Sequence, residues 1–337
     1  MEYSTVSVSS PAVQKEAERL YGKLSQLGWT MPECLLYAPL TLEINQLKKQ
    51  KNAVILGHSY QTPDIIYGIS DFVGDSYELS KKAAETNADT IVFCGVRFMA
   101  ETAKILSPEK TVLLPAPDAG CSLSESITAE DVRELKKKHP GAPVVMYVNT
   151  SADVKAEADV CCTSANALKI INSLPQKKII FLPDQFMAQN LAKLTDKQII
   201  GWHGTCIVHE EFDAEKVRAV RNAYPGVKIV AHSECKPEVI AEVDAMGGTS
   251  DMIRYITQSD AKSFMLVTEC GLGDRMRVEM PQKLIVGTCS LCPYMKKNNL
   301  VNVLSSLEHP SDDQVIEIPK SVRLRAKAAL DRMFELS

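Results

Sequence analysis

Cys121, Cys206 and Cys292 divide the chain at nearly equal spacings of 85 and 86 residues. Each stands in a turn-like context marked by glycine or proline: Ala119-Gly120-Cys121, Gly204-Thr205-Cys206 and Cys292-Pro293. Three thiols on three similar segments could converge on one point. Four thiolates would close an iron–sulfur cluster for electron transfer. Three suit a cluster with one iron left open to substrate, where it acts as a Lewis acid. Spacing alone leaves inert buried cysteines as an equal reading. Cys289-x-x-Cys292 by itself reads as half a zinc site or as a redox pair. Cys161-Cys162 would point opposite ways on a strand and makes a poor chelate. Cys34, Cys94, Cys161, Cys162, Cys235 and Cys270 read as small buried residues.

Other groups could move protons or hold anions. His58, His203, His209 and His232 lie near predicted strand ends in polar or small-residue contexts. Taken singly, each reads as a hydrogen-bonded loop histidine. Glu234 follows His232 by two residues, so on extended chain both face one way. Such a pair suits carboxylate binding with proton transfer. Ser76, Ser164 and Thr249 precede or begin predicted helices, with Ser76 a plausible N-cap. They read as plain caps or, taken together, as sites for an anion with several carboxylates or a phosphate. Tyr60, Tyr147 and Asn149 add neutral donors near the same strand ends.

Short apolar runs alternating with longer amphipathic ones must position these groups, which predicts α/β architecture with mainly parallel strands. Residues 1–10 carry no periodicity and are expected to fray. Val13, Ala17, Leu20, Leu24 and Leu27 recur at helical spacing within 11–50, and a second amphipathic piece covers about 41–51. Strands are predicted at 53–57, 90–94 and 111–114; at 144–148, 160–163 and 179–182; and at 228–231, near 247–249, 263–267 and 284–286. Helices are predicted at 76–86, 129–138, 164–173, 214–224 and 237–244. The three sets read as distant copies of one unit. Each first strand ends in a polar triad: His58-Ser59-Tyr60, Tyr147-Val148-Asn149 and His232-Ser233-Glu234. In parallel sheets ligand groups collect at the carboxyl ends of strands.

The composition is that of a globular protein, 45% hydrophobic and 24% charged over 337 residues. With a net charge of −4 and no basic–aromatic interleaving, nucleic acid is an unexpected partner. Lys136-Lys137-Lys138 reads as a solvated helix end. No secretory signal and no membrane-spanning run is visible, so a soluble, cytoplasmic protein is expected, with its cysteines as thiols or metal ligands.

With these residues assembled, the chain resembles the quinolinate synthase family. The motifs run from about residue 50 to 300: Gly57-His58-Ser59-Tyr60-Gln61, Gly74-Asp75-Ser76, Ala119-Gly120-Cys121-Ser122-Leu123 and Tyr147-Val148-Asn149-Thr150-Ser151. They continue as Thr163-Ser164-Ala165-Asn166, Gly204-Thr205-Cys206-Ile207-Val208-His209, Ala231-His232-Ser233-Glu234-Cys235, Gly248-Thr249-Ser250 and Cys292-Pro293-Tyr294-Met295-Lys296. The family usually has alanine at Gly57, a larger residue at Ser59, proline at Ser233 and serine at Gly248. Cys289 matches a cysteine of some members; it reads as inert or as a disulfide partner of Cys292 once the cluster is lost.

The resemblance implies three similar α/β/α domains with short, mainly parallel sheets around a pseudo-threefold axis. The expected divisions are N-terminal helices at 1–50, a first domain at 51–118 to which a C-terminal helix at 311–337 returns, a second at 119–205 and a third at 206–310. The resemblance also implies a [4Fe–4S] cluster on Cys121, Cys206 and Cys292. Condensation of iminoaspartate (iminosuccinate) with dihydroxyacetone phosphate to quinolinate is the implied reaction, and transient contact with the enzyme supplying iminoaspartate is a further expectation. His58 and Ser76 are expected to bind one carboxylate, and His232, Ser164 and Thr249 the others or the phosphate. Val148 and Ser233 complete the substrate-binding strand ends. Glu234 is the expected base and Tyr147, oriented by Asn149, the proton donor. Tyr60 is a second acid or base, and His209, three residues after a cluster ligand, is expected to position substrate or the closed state. A non-catalytic iron–sulfur or redox-sensing protein would use the same cysteines without the polar strand ends. A zinc-dependent lyase on His58 and His232 would carry zinc without sulfide.

Overall fold

A computed structural model of the chain describes residues 10–337. The expectation of fraying at 1–10 therefore falls, but for Ser10, outside the described residues. Two helices come first, Pro11–Leu24 and Met31–Gln50. Ser10 caps the first, and Thr30 with Glu33 forms a reciprocal capping box on the second. Gly28 takes φ 85° at the break between them, a conformation glycine adopts without strain. Val13, Ala17, Leu20 and Leu24 bury against Cys34 and Ala38, as their spacing predicts. The predicted piece at 41–51 is the second half of the longer helix.

Among the described residues, twelve strands form three sheets. The first holds β1 (Ala53–His58), β2 (Phe72–Gly74), β3 (Thr90–Cys94) and β4 (Thr111–Leu113). The second holds β5 (Val144–Tyr147), β6 (Val160–Cys162), β7 (Lys178–Leu182) and β8 (Gln198–Ile200). The third holds β9 (Lys228–His232), β10 (Ala245–Gly247), β11 (Ser263–Val267) and β12 (Leu284–Val286). Every pairing is parallel, and the spatial orders are β2-β1-β3-β4, β6-β5-β7-β8 and β10-β9-β11-β12. All three orders are the same, with intervening helices as parallel strands require. The predicted repetition is therefore real. Two strands escaped prediction, β2 and β8; both are three-residue edge strands.

Each unit is closed by the same aspartate device. Asp71, Asp159 and Asp244 precede the second strand of their repeats. Their carboxylates accept from Ile55 N (2.8 Å), Val144 N (2.7 Å) and Ile229 N (2.9 Å) on the first strand. Their own N–H groups donate to the carbonyls of the same three residues at 2.9, 3.1 and 2.8 Å. The charge-assisted pairs pin the start of each first strand and so fix how far its far end reaches.

The chain forms two compact units. One comprises 1–119, 270–283 and 291–316 and contains the first sheet. Ile55, Val92 and Leu113 of that sheet bury with Ile44, Val303 and Leu307. The other comprises 120–269, 284–290 and 317–337 and contains the second and third sheets. Around the third sheet, Ile229, Ala231, Met265 and Val267 pack with Val217 and Val239. Val145, Ile180 and Phe181 of the second sheet are fully buried.

The C-terminal segment corrects one expectation. Val315 bridges Leu113 and so returns to the first sheet. The helix that follows, Lys320–Leu336, packs instead on β6 and on the helices at 152–155 and 167–173. Arg332 donates to the Asp159 carbonyl, and Asn166 Nδ2 to Ser337 Oγ at 2.7 Å. Its apolar stripe (Ala326, Ala329, Leu330, Met333) buries there, which sequence periodicity cannot direct to one sheet rather than another.

Candidate active site

The repeated topology delivers the same set of groups from each repeat. His58, Tyr147 and His232 end the first strands and pair with Gly74, Cys162 and Gly247 on the second. The next residue in each case, Ser59, Val148 or Ser233, donates its N–H to that partner's carbonyl at 2.9, 2.9 and 3.1 Å. Two residues beyond the partner stands a hydroxyl: Ser76, Ser164 and Thr249. Their local roles differ from plain capping. Asp75, not Ser76, caps helix Ser76–Glu85, accepting from Tyr77 N and Glu78 N. The helix after Ser164 begins only at Ala167, and Thr249 is the first residue of its helix.

Within the larger unit the groups gather around Glu234, which is buried. Tyr147 O–H donates to Glu234 Oε1 at 2.5 Å. His209 Nδ1 lies 2.8 Å from Glu234 Oε2 and 3.2 Å from Cys206 Sγ. The second ring nitrogen of His209 is 2.9 Å from Thr268 Oγ1, which fixes the ring. His209 and His232 stack with centroids 4.5 Å apart. Glu234 N–H donates to His232 Nδ1 at 3.3 Å, which places the ring's proton on Nε2. Burial opposes ionisation of Glu234. The imidazoles of His232 and His209, with the bonds from His209 and Tyr147, outweigh it and hold this carboxyl well below its ordinary value. Asp184 behaves oppositely: burial and the nearby Glu234 charge push it well up. Asn149 Oδ1 and Ser233 Oγ are buried with no hydrogen-bond partner among the described residues. Orphaned polar atoms at strand ends suit a polar ligand.

Cys121 and Cys206 belong to the same unit. Ser122 ties their turns together: its hydroxyl donates to the Thr205 carbonyl (2.8 Å) and accepts from Ile207 N (3.2 Å). Burial, then Glu234, then the neighbouring Cys121 push the Cys206 thiol well above its usual value. A bound cation would oppose that shift, since thiol ligands bind metal as thiolates. The ligand atoms of Cys206, His209 and Glu234 also lie within 4.8 Å of one another.

The smaller unit carries the remaining groups. His58 and Tyr60 are buried, with the rings edge to face at 4.6 Å. Tyr60 N–H donates to His58 Nδ1 at 3.2 Å, repeating the arrangement at His232. Arg275 Nη1 donates to Ser59 Oγ at 2.9 Å, and Lys296 Nζ to the Tyr60 carbonyl. Cys292 is in this unit.

All three cysteines occupy one local structure. The residue two places before each is clamped to the segment following the third strand of its repeat. Arg97 N–H donates to the Ala119 carbonyl and Gln185 N–H to that of Gly204, both at 2.8 Å; Ser290 forms a bridge with Glu269. Each cysteine carbonyl then accepts from the residue four places on: Glu125 N (3.0 Å), Glu210 N (3.0 Å) and Lys296 N (3.2 Å).

A family model described as quinolinate synthetase A protein matches residues 42–335. The chain belongs to the quinolinate synthase family and is an enzyme of that type. It is 47% identical over 327 residues to the quinolinate synthase of Sinorhizobium medicae, covering 97% of this chain and 90% of that protein. Quinolinate synthase 1 of Mesorhizobium japonicum is 50% identical over 290 residues, covering 86% and 89% respectively. The Caulobacter vibrioides quinolinate synthase is 43% identical over 333 residues, covering 98% and 90%.

Several expectations change. His203 is exposed and lies against Trp202, 4.2 Å between ring centroids, away from the Glu234 group. Cys270, expected as a small buried residue, is half-buried and disulfide-bonded; Cys289 is disulfide-bonded and Cys292 is not, so those two are not joined to each other. Cys289 lies before the Ser290 bridge and Cys292 opens the turn after it, which places the two in different local structures. Cys161 and Cys162 are buried on β6, and burial pushes the Cys161 thiol up to about 12, consistent with an inert role. Sequence reasoning missed Thr268, Asp184, Asn190 and Arg275, and gave Lys296 no role beyond its place in a family motif. None sits in a polar triad, though Asp184 and Thr268 directly follow third strands or the residue after them. Among the described residues, no helix is long and apolar enough to cross a membrane.

Proposed function

We propose that this enzyme condenses iminoaspartate (iminosuccinate) with dihydroxyacetone phosphate to quinolinate, phosphate and two waters in NAD biosynthesis. The proposal includes a [4Fe–4S] cluster on Cys121, Cys206 and Cys292. The observation that carries the reading is the threefold repetition. Each repeat supplies a ring at its first strand end, a hydroxyl two residues past its second strand and a cysteine opening the turn after its fourth. A structural role alone does not call for the same chemical set three times. The donor set fits the cluster, since single thiols in three equivalent turns leave a fourth iron corner for substrate. When bound, the cluster supplies a Lewis acid that polarises a substrate oxygen or nitrogen and eases loss of hydroxide.

The chain's own residues supply binding and proton transfer. Nε2–H of His58 and of His232 are donors to carboxylate oxygens, each set by the backbone N–H on Nδ1. Ser76, Ser164 and Thr249 complete the cradle for carboxylates and phosphate, with Val148 and Ser233 as backbone neighbours. Glu234, held ionised, takes the proton that must leave carbon before attack, and Tyr147, beside Asn149, returns one to a departing hydroxyl. Tyr60 is a second acid or base. His209 holds Glu234 in place and shields it from water. The enzyme is read as cytoplasmic, and transient contact with the enzyme that supplies iminoaspartate would spare that unstable substrate from hydrolysis. Anaerobic enzyme given iminoaspartate and dihydroxyacetone phosphate should release quinolinate and phosphate in equal amounts, measured by absorbance and phosphate assay. Phosphate release without quinolinate would overturn the reading.

Gly248 offers a local test of the anion cradle. A Cβ there would stand 2.5 Å from Ser164 Oγ and 3.1 Å from Ala165 N. Ser164 would have to turn to another rotamer, at a cost of order 1 kcal/mol. Gly248→Ser is expected to raise the KM of one substrate about 5-fold with kcat nearly unchanged, read from steady-state kinetics.

A further inference from the structure

Asn190 lies on the helix Gln185–Ala192 and is 1% exposed. Its Nδ2 donates to the Ser233 carbonyl at 3.0 Å and to the Cys235 carbonyl at 2.8 Å. Those carbonyls flank residue 234 on both sides. The N–H groups of the same turn are met locally: Ser233 N by Gly247, Glu234 N by His232 Nδ1 and Cys235 N by the His232 carbonyl. The turn thus takes its donors' partners from its own repeat and its grip on 233 and 235 from the repeat before it.

The helix that carries Asn190 is itself anchored. Fully buried Asp184 caps it, with Oδ1 accepting from Met187 N at 2.6 Å. Gln185 N–H donates to Gly204, two residues before Cys206. A continuous set of bonds therefore runs from the Cys206 turn through the cap and Asn190 to the backbone on either side of Glu234. Asn190 Oδ1 and Asp184 Oδ2 have no partner among the described residues, an unfavourable arrangement for groups that served packing alone.

We propose that Asn190 is a positioning residue for Glu234. By holding both flanking carbonyls it sets where the carboxylate stands between Tyr147 O–H and His209 Nδ1. The contacts on the two carboxylate oxygens are 2.5 and 2.8 Å, so a shift of the turn breaks one or both. The inference rests on Glu234 being the base. Misplacing a catalytic group by about 1 Å costs on the order of 100-fold in rate.

The test is a double-mutant cycle on cluster-loaded enzyme, with iron content matched across Asn190→Asp, Glu234→Gln and the double variant. Asn190→Asp keeps the shape but loses the two amide donors. It is expected to lower kcat about 10- to 100-fold with KM within about threefold. Asn190→Gln, which keeps the amide, should recover part of that loss. The double variant should be no slower than Glu234→Gln alone, because Asn190 acts through the group already removed. Wild-type kcat in Asn190→Asp, or losses that multiply in the double variant while Glu234→Gln remains impaired, would overturn the positioning role alone. Wild-type turnover in Glu234→Gln would remove the base assignment and the inference with it. Should Asn190→Asp fail to fold, Asn190→Ser takes its place in the cycle with the same outcomes.

Discussion

Glu234→Gln, purified anaerobically with its iron intact, is expected to form quinolinate about 1,000-fold more slowly than the parent enzyme. The substitution keeps volume and one acceptor oxygen but removes the group able to take a proton. Both carboxylate oxygens are engaged, by Tyr147 at 2.5 Å and by His209 at 2.8 Å, so the side chain is already aimed. Two carboxyls, Glu234 and Asp184, interact in this buried region. The environment separates them: His232 and His209 hold Glu234 well down and ionised, while burial and the Glu234 charge push Asp184 well up. Tyr147→Phe removes the complementary donor and should cost about 10- to 100-fold. Circular dichroism should show the native fold in both variants. Near-native turnover in both would end the acid–base assignment.

The second large effect concerns the thiols. Cys206→Ala, reconstituted anaerobically, should hold almost no iron or sulfide and lose more than about 100-fold in activity, since weaker outer-shell changes at metal sites already cost 10- to 100-fold. Cys121→Ala and Cys292→Ala should behave alike, because all three cysteines open the same kind of turn. Cys161→Ala is the matched control: its thiol is buried and pushed up to about 12, so iron content should not change. Normal iron and sulfide in any of the three ligand variants would remove that residue from the set.

Most strands were legible because buried parallel strands write themselves as short apolar runs bounded by polar ends, as in Val144–Tyr147. The edge strands Phe72–Gly74 and Gln198–Ile200 were not, since three residues cannot display a period. The aspartate device was present in the sequence and went unread. Asp71, Asp159 and Asp244 each stand five residues before Ser76, Ser164 and Thr249. That fixed offset aligns the repeats better than their apolar content does. The candidate site was legible where residues occupy strand ends, as for His58, Tyr147 and His232. Thr268 and Asn190 were not, because each acts on a partner far away in sequence: His209 for Thr268, and the turn at 233–235 for Asn190. Only a folded backbone brings such pairs together.

The helix at 320–336 packs on a strand made some 160 residues earlier, at 160–162. On a translating ribosome, the middle sheet must therefore remain unfinished until the helix at 320–336 has emerged. Its edge strand β6 is then a parallel-sheet edge waiting for cover, the kind of surface on which nascent chains stick to one another. Loss of the helix at 320–336 would strike the middle repeat harder than either of its neighbours.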